Sequence, residues 1–138
     1  MRYPAVLSAT LVVAACSKAP VTRSDSQPVS PAVVQFLLTA AATDFHTHGP
    51  ADVVRFRDVR IGHMTASDGA EQYVLCGQFL PAQVSGKAEW TSFTTIKTSG
   101  YEQLIGGQAA EFCLRPSIIW DKQGDLSSSL KSRLDSMQ

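Results

Sequence analysis

The spacing of apolar residues changes once along this chain, at Gly49-Pro50, and that change limits the fold more than any other feature. Ahead of it, Val34, Leu37, Leu38, Ala41 and Phe45 recur at intervals of three and four, the period of one face of an α-helix. Ser30 followed by Pro31 supplies an N-cap and a first-turn proline, whose missing N–H costs nothing there. At the other end Gly49 is expected to provide a left-handed cap, and Pro50 to forbid continuation. The pattern predicts a helix over 31–47.

Beyond Pro50 the period falls to two. Arg57 to Met64 reads as a strand, with Val59 and Ile61 on one face and Arg60 on the other. Val54 and Phe56 are out of phase with that pair, which places a turn or bulge near Arg57-Asp58. Ser67-Asp68-Gly69 is turn chemistry and leads into a second strand, Glu71 to Leu80. Its Tyr73, Val74, Leu75, Cys76 and Phe79 are apolar on both faces, as expected of a central, covered strand. Pro81 to Lys87 reads as a loop, Trp90 to Lys97 as a third strand and Tyr101 to Ile105 as a short fourth. Gly106-Gly107 ends it, and Gln108 to Cys113 suits one or two helical turns. From Gln123 the chain is polar and serine-rich, expected to fray or to form a loose terminal helix. The fold class is therefore α+β: one N-terminal helix packed on a small, mainly antiparallel sheet of three to four strands, with one disulfide.

The N-terminus carries a different message. Arg2 precedes an apolar run of about thirteen residues, short of the roughly eighteen needed to cross a bilayer core, and small residues close it. This is the layout of a secretory signal peptide, and Val13-Ala14-Ala15-Cys16 resembles the lipobox of bacterial lipoproteins. The resemblance implies cleavage before Cys16 and acylation of its thiol. Residues 1–15 are then a signal peptide, 16–30 a lipidated start and polar tether, 31–121 the α+β domain and 122–138 a polar tail. By analogy with enterobacterial sorting, Ser17 and Lys18 point to the periplasmic face of the outer membrane. Plain secretion after Ala15 is the alternative.

Export decides how the remaining cysteines read. With Cys16 spent on lipid, Cys76 and Cys113 are left in an oxidising compartment, and two cysteines permit one connectivity. Closing that loop of about 38 residues is worth about 3.5–4 kcal/mol by chain-entropy reasoning, as an upper limit. The rival is a reactive thiol or thiol–metal site, against which stands the absence of any C-x-x-C spacing. Charge is balanced, 12 Lys+Arg against 12 Asp+Glu, or 11 against 12 once Arg2 is removed. A nucleic-acid partner, which calls for a basic excess, is not expected.

The middle of the chain adds a second resemblance. Gly49-Pro50-Ala51-Asp52, Phe56-Arg57-Asp58-Val59, Val74-Leu75-Cys76-Gly77 and Phe112-Cys113 resemble, in order, the turn, strands and final cysteine of small exported proteins and lipoproteins of proteobacteria. The likeness covers about residues 35 to 115 and implies no particular chemistry. It departs after Cys-Gly, where that group carries asparagines and this chain reads Gln78-Phe79-Leu80-Pro81.

Few residues suggest a site. His46-x-His48 with His63 is the one imidazole cluster, but the first two sit at a helix end where their side chains diverge, so no metal is expected. Cys76 paired with one of them as nucleophile and base lacks an orienting third residue. Neither a Gly-rich phosphate loop nor a Gly-x-Ser-x-Gly elbow is present, and no cofactor is expected. Arg55, Arg57 and Arg60 cluster near Phe56; a solvated strand face is the plain explanation, and contact with anionic headgroups or peptidoglycan carboxylates the sharper one. Trp90, Phe93, Tyr101 and Trp120 read as packing before they read as a sugar platform. Arg55, Arg57, Arg60, Trp90 and Tyr101 are thus the candidate binding surface.

The expected function is non-enzymatic: an envelope lipoprotein held to the bilayer by its acyl chains, binding or supporting another envelope protein or peptidoglycan. A lysozyme-inhibitor-like binder is the alternative, on the shortened echo Ser99-Gly100-Tyr101 of such inhibitors' Ser-Gly-x-x-Tyr loop, although a helix does not suit their all-β fold. A thiol or metal hydrolase ranks below both.

Overall fold

Helix α1 spans Pro31–Thr47, and Ser30 Oγ accepts from the Val33 N–H at 3.4 Å. The computed structural model describes residues 27–49, 52–82, 86 and 89–138. The expected signal peptide, Cys16, the expected tether through residue 26 and Pro50 lie outside the described residues. At the helix end Gly49 plays a different part from the one expected. Its φ is not positive; a Cβ there would stand 2.5 Å from the Phe45 carbonyl oxygen, so glycine serves a close approach. The N–H groups of His48 and Gly49 both donate to the Asp44 carbonyl, at 2.8 and 3.1 Å.

Five strands follow: β1 (Val53–Thr65), β2 (Glu71–Pro81), β3 (Thr91–Lys97), β4 (Tyr101–Ile105) and β5 (Ile119–Trp120). All pairings are antiparallel, in the order β4-β3-β2-β1-β5, so β2 is central as its two-sided apolar pattern predicts. Five strands replace the expected three to four. The unforeseen one, β5, has two residues, too few for any periodicity to show. It packs against Gly62, where a Cβ would meet Ile118 Cγ2 and the Ile119 carbonyl oxygen at 2.8 Å each.

Strand β1 begins earlier than Arg57 because the phase change is a bulge and not a turn. The register slips between Arg57 and Arg60, with Asp58 at φ 54°. One extra residue there returns Val59 and Ile61 to the face that Phe56 already occupies. The Ser67–Gly69 turn is as expected: Gly69 has φ +84°, and the Ala70 N–H donates to Asp68 Oδ1 at 2.9 Å.

One sheet face packs on α1. Phe45 meets Phe56, Phe79 and Phe93 edge-on, at centroid distances of 5.2, 5.0 and 5.1 Å, and Leu75, Val59 and Ile61 complete the layer. Such edge contacts add about 0.5–1.5 kcal/mol each beyond area burial. The expected loose tail is helix α3 (Ser127–Asp135), with Leu130 and Leu134 buried in this same core. Arg133 also reaches across to Gln35 and Thr39 on α1. The opposite face is smaller: Met64, Val74 and Ile96 lie under Phe112 of helix α2 (Gly107–Cys113) and Ile118. No helix among the described residues is long and apolar enough to cross a membrane.

Candidate binding groove

Cys76 and Cys113 form a disulfide, with S–S 2.06 Å and Cα–Cα 6.1 Å. It fastens α2 to the central strand on the face away from α1. Cys76 therefore has no sulfhydryl to act as nucleophile or metal ligand. The Thr94 hydroxyl lies 3.3 Å from its sulfur, fully buried beneath it.

The antiparallel register sets two rows of side chains beside this bridge. Arg57 faces Gln78, which faces Ser92; Arg60 faces Cys76, which faces Thr94. Without the bulge at Asp58, Arg57 and Arg60 would lie on opposite faces; the extra residue brings both to this one. Each guanidinium stacks on a half-buried indole. Arg57 Cζ lies 4.2 Å from the Trp90 ring centroid, and Arg60 Cζ lies 3.8 Å from that of Trp120. Arg57 Nε also donates to Gln78 Oε1 at 2.8 Å, which leaves the Gln78 amide N–H₂ on the side away from Arg57. Stacks of this kind contribute about 0.5–1 kcal/mol each at exposed sites and hold the guanidinium in place.

An open groove of about 680 Å³ runs along the Arg60–Cys76 row, between α2 and the segment 121–125, with Gln78 and Ser92 of the next row in its lining and Arg57 and Trp90 outside it. Arg60, Gln78 and Ser92 offer polar groups to it, and Trp120, the disulfide and Leu114 offer apolar surface. Leu114 is 80% exposed at its edge. The segment 121–126 is bound to β1: Asp121 N–H donates to the Ile61 carbonyl at 2.9 Å and Leu126 N–H to the Val59 carbonyl at 2.7 Å.

Two carboxylates on this wall are turned onto backbone amides. Asp121 accepts from the N–H of Val29 and Gln123, and Asp125 accepts from those of Val59 and Ser127 at 3.0 and 2.9 Å. Partial burial pushes both carboxyls up, but these hydrogen bonds, with those from the Ser127 hydroxyl to Asp125 and the Gln123 side-chain amide to Asp121, outweigh it and hold each below its ordinary value. Asp58, at the bulge, remains 78% exposed and lies 3.9 Å from Arg57 Nε.

The structure thus brings together Arg57, Arg60 and Trp90 from the expected surface. Arg55 follows the same alternation but is exposed beyond the groove, opposite Leu80. Tyr101 stands apart, on the α1 face, where its hydroxyl donates to Asp44 Oδ1 at 3.3 Å. Burial, then the Asp44 charge, raises its phenol above the ordinary value. The histidines do not converge: His48 Nδ1 is 3.4 Å from Asp44, while His63 is buried in β1 with Nε2 3.8 Å from Glu71. Among the described residues no group of three His, Cys, Asp or Glu is placed to hold a metal. Trp120 is the groove residue that sequence reasoning set aside as packing; its signal was an aromatic two positions past Ile118, on a strand too short to see. Neither protein-family models, nor curated proteins, nor solved structures give a significant match to the chain.

Proposed function

We propose that this protein is a non-enzymatic binding protein of the cell envelope, anchored through an acylated Cys16, which takes its ligand in the groove beside the Cys76–Cys113 bridge. The observation that carries the reading is Arg60, stacked on Trp120 and lining this groove beside the disulfide, with the Arg57–Trp90 stack in the adjacent row. Binding sites gain affinity when their polar groups are held in place before the ligand arrives. A concavity of this size falls within the roughly 300–1,000 Å³ common for small-ligand sites. The leader is what supports the anchor: acyl chains on Cys16 would each bury many CH₂ groups at about 0.8 kcal/mol apiece. The polar tether would then let the domain reach its ligand at a distance from the bilayer.

Site-specific photo-cross-linking in living cells tests this. A photoreactive residue at Ser92, in the groove, is expected to give a discrete adduct, and one at Ser67, in the remote β1–β2 turn, none. Equal labelling from both positions, or none from Ser92, would overturn the proposal.

A further inference from the structure

We infer that the groove takes an acidic saccharide, a sugar ring bearing a carboxylate, with the carboxylate on Arg60 and ring oxygens on Gln78 and Ser92. This rests on the binding reading above and names the ligand class for the same groove.

The argument begins with Arg60. Among the described residues its guanidinium makes no hydrogen bond and no ion pair; its one partner is the face of Trp120. Yet three carboxylates line the same groove. Asp121 and Asp125 are committed to backbone N–H groups of Val29, Gln123, Val59 and Ser127, and Asp58 lies beside Arg57. Arg60 therefore presents a planar fork of N–H donors, already oriented by stacking, with no acceptor supplied by the protein. A carboxylate is the group whose two oxygens match that fork.

The next groups along the floor are also donors. The Gln78 amide N–H₂ is directed away from Arg57, and the Ser92 hydroxyl makes no side-chain hydrogen bond among the described residues. A ligand rich in acceptor oxygens satisfies these donors, and sugar hydroxyls can in turn donate to the exposed Asp58 carboxylate. Trp120 and Leu114 supply flat apolar surface for the C–H face of a ring.

A bilayer surface suits the groove poorly. Its headgroups form a plane, whereas the Arg60 donors line a concavity. A slender acid can enter where a plane cannot.

Titration of the purified full chain, followed by tryptophan fluorescence, separates the charge from the ring. N-acetylmuramic acid and N-acetylglucosamine share a ring and differ by the carboxylate-bearing ether. The acid is expected to bind at least tenfold more tightly. R60Q should bring the two sugars to equal affinity, R60K should recover part of the difference, and R115Q, on the far side of α2, should change nothing. Sedimentation with peptidoglycan strands stripped of their stem peptides by an amidase, which frees the lactyl carboxylate, then distinguishes a wall polymer from a free sugar as the source: Arg60-dependent sedimentation indicates the polymer, and its absence alongside Arg60-dependent binding of the acid indicates the free sugar. Equal affinity of the parent chain for both sugars, binding of neither, or Arg60-dependent binding to phosphatidylglycerol vesicles in place of the acid would overturn the inference. If the Ser92 adduct forms all the same, the groove keeps its role and only the ligand class falls.

Discussion

Asp121 accepts the Val29 N–H, and Asp125 accepts those of Val59 and Ser127, so two carboxylates join the start of the domain and the start of α3 to the edge of β1. Both titrate below the ordinary 3.8 because these hydrogen bonds outweigh the opposing effect of burial. A carboxyl lowered in the folded state contributes stability that is present in full above its unfolded value and lost as pH falls through its folded one. Unfolding free energy is therefore expected to decline on acidification below about pH 4. Urea midpoints compared at pH 7 and pH 3 should show a smaller decline in D121N/D125N than in the parent; an equal decline would mean the linkage lies elsewhere. At this scale the sequence is a partial guide. Arg57, Arg60 and Trp90 could be grouped by residue type, because a guanidinium fork suits paired oxygens and an indole face suits a sugar ring. Tyr101 could not be separated from them, since only the pairing of Lys97 with Tyr101 puts its ring on the α1 face. The capping carboxylates were invisible because the amides they bind are up to 92 residues away.

Among the elements, α3 departs furthest from expectation. Three consecutive serines suggest a weak helix, since serine competes for its own backbone groups. Leu126, Leu130, Leu134 and Met137, however, recur at four, four and three positions, and all four pack into the main core. Tertiary burial outweighs propensity here, as it does for most short helices. L130A is expected to cost about 2–5 kcal/mol in urea unfolding, the range for emptying a fully buried leucine site. A loss under about 1 kcal/mol would show that α3 adheres only loosely. The bulge in β1 is the opposite case. Phe56 and Val59 cannot share a face at an even period unless one residue is extra, so the irregularity is written in the apolar pattern, and the structure places it at Asp58. What the pattern does not announce is its consequence, that Arg57 and Arg60 emerge together on the groove side.

For the molecule as a whole, the disulfide unites the two layers. It ties α2 to the central strand over a separation of 37 residues, opposite the large α1 core. C76A/C113A is expected to lose up to about 3.5–4 kcal/mol, read as a lower urea midpoint with a steeper slope, because the unfolded chain freed of the bridge is less compact. A variant as stable as the parent would mean that the small face of Val74, Ile96 and Phe112 holds α2 unaided. Residue order was enough to place α1 ahead of β1 to β4, to put β2 at the centre and, on the expectation that Cys16 is acylated, to pair Cys76 with Cys113. The first two follow from local periodicity, and the last from a count that leaves one connectivity once Cys16 is set aside. Long-range contacts were needed to show that β5 closes the sheet, that the polar tail is a core helix, and that Trp120 meets Arg60 beside the bridge. Each of these depends on residues far apart in the chain being brought within contact distance, and a one-dimensional pattern carries no record of such distances.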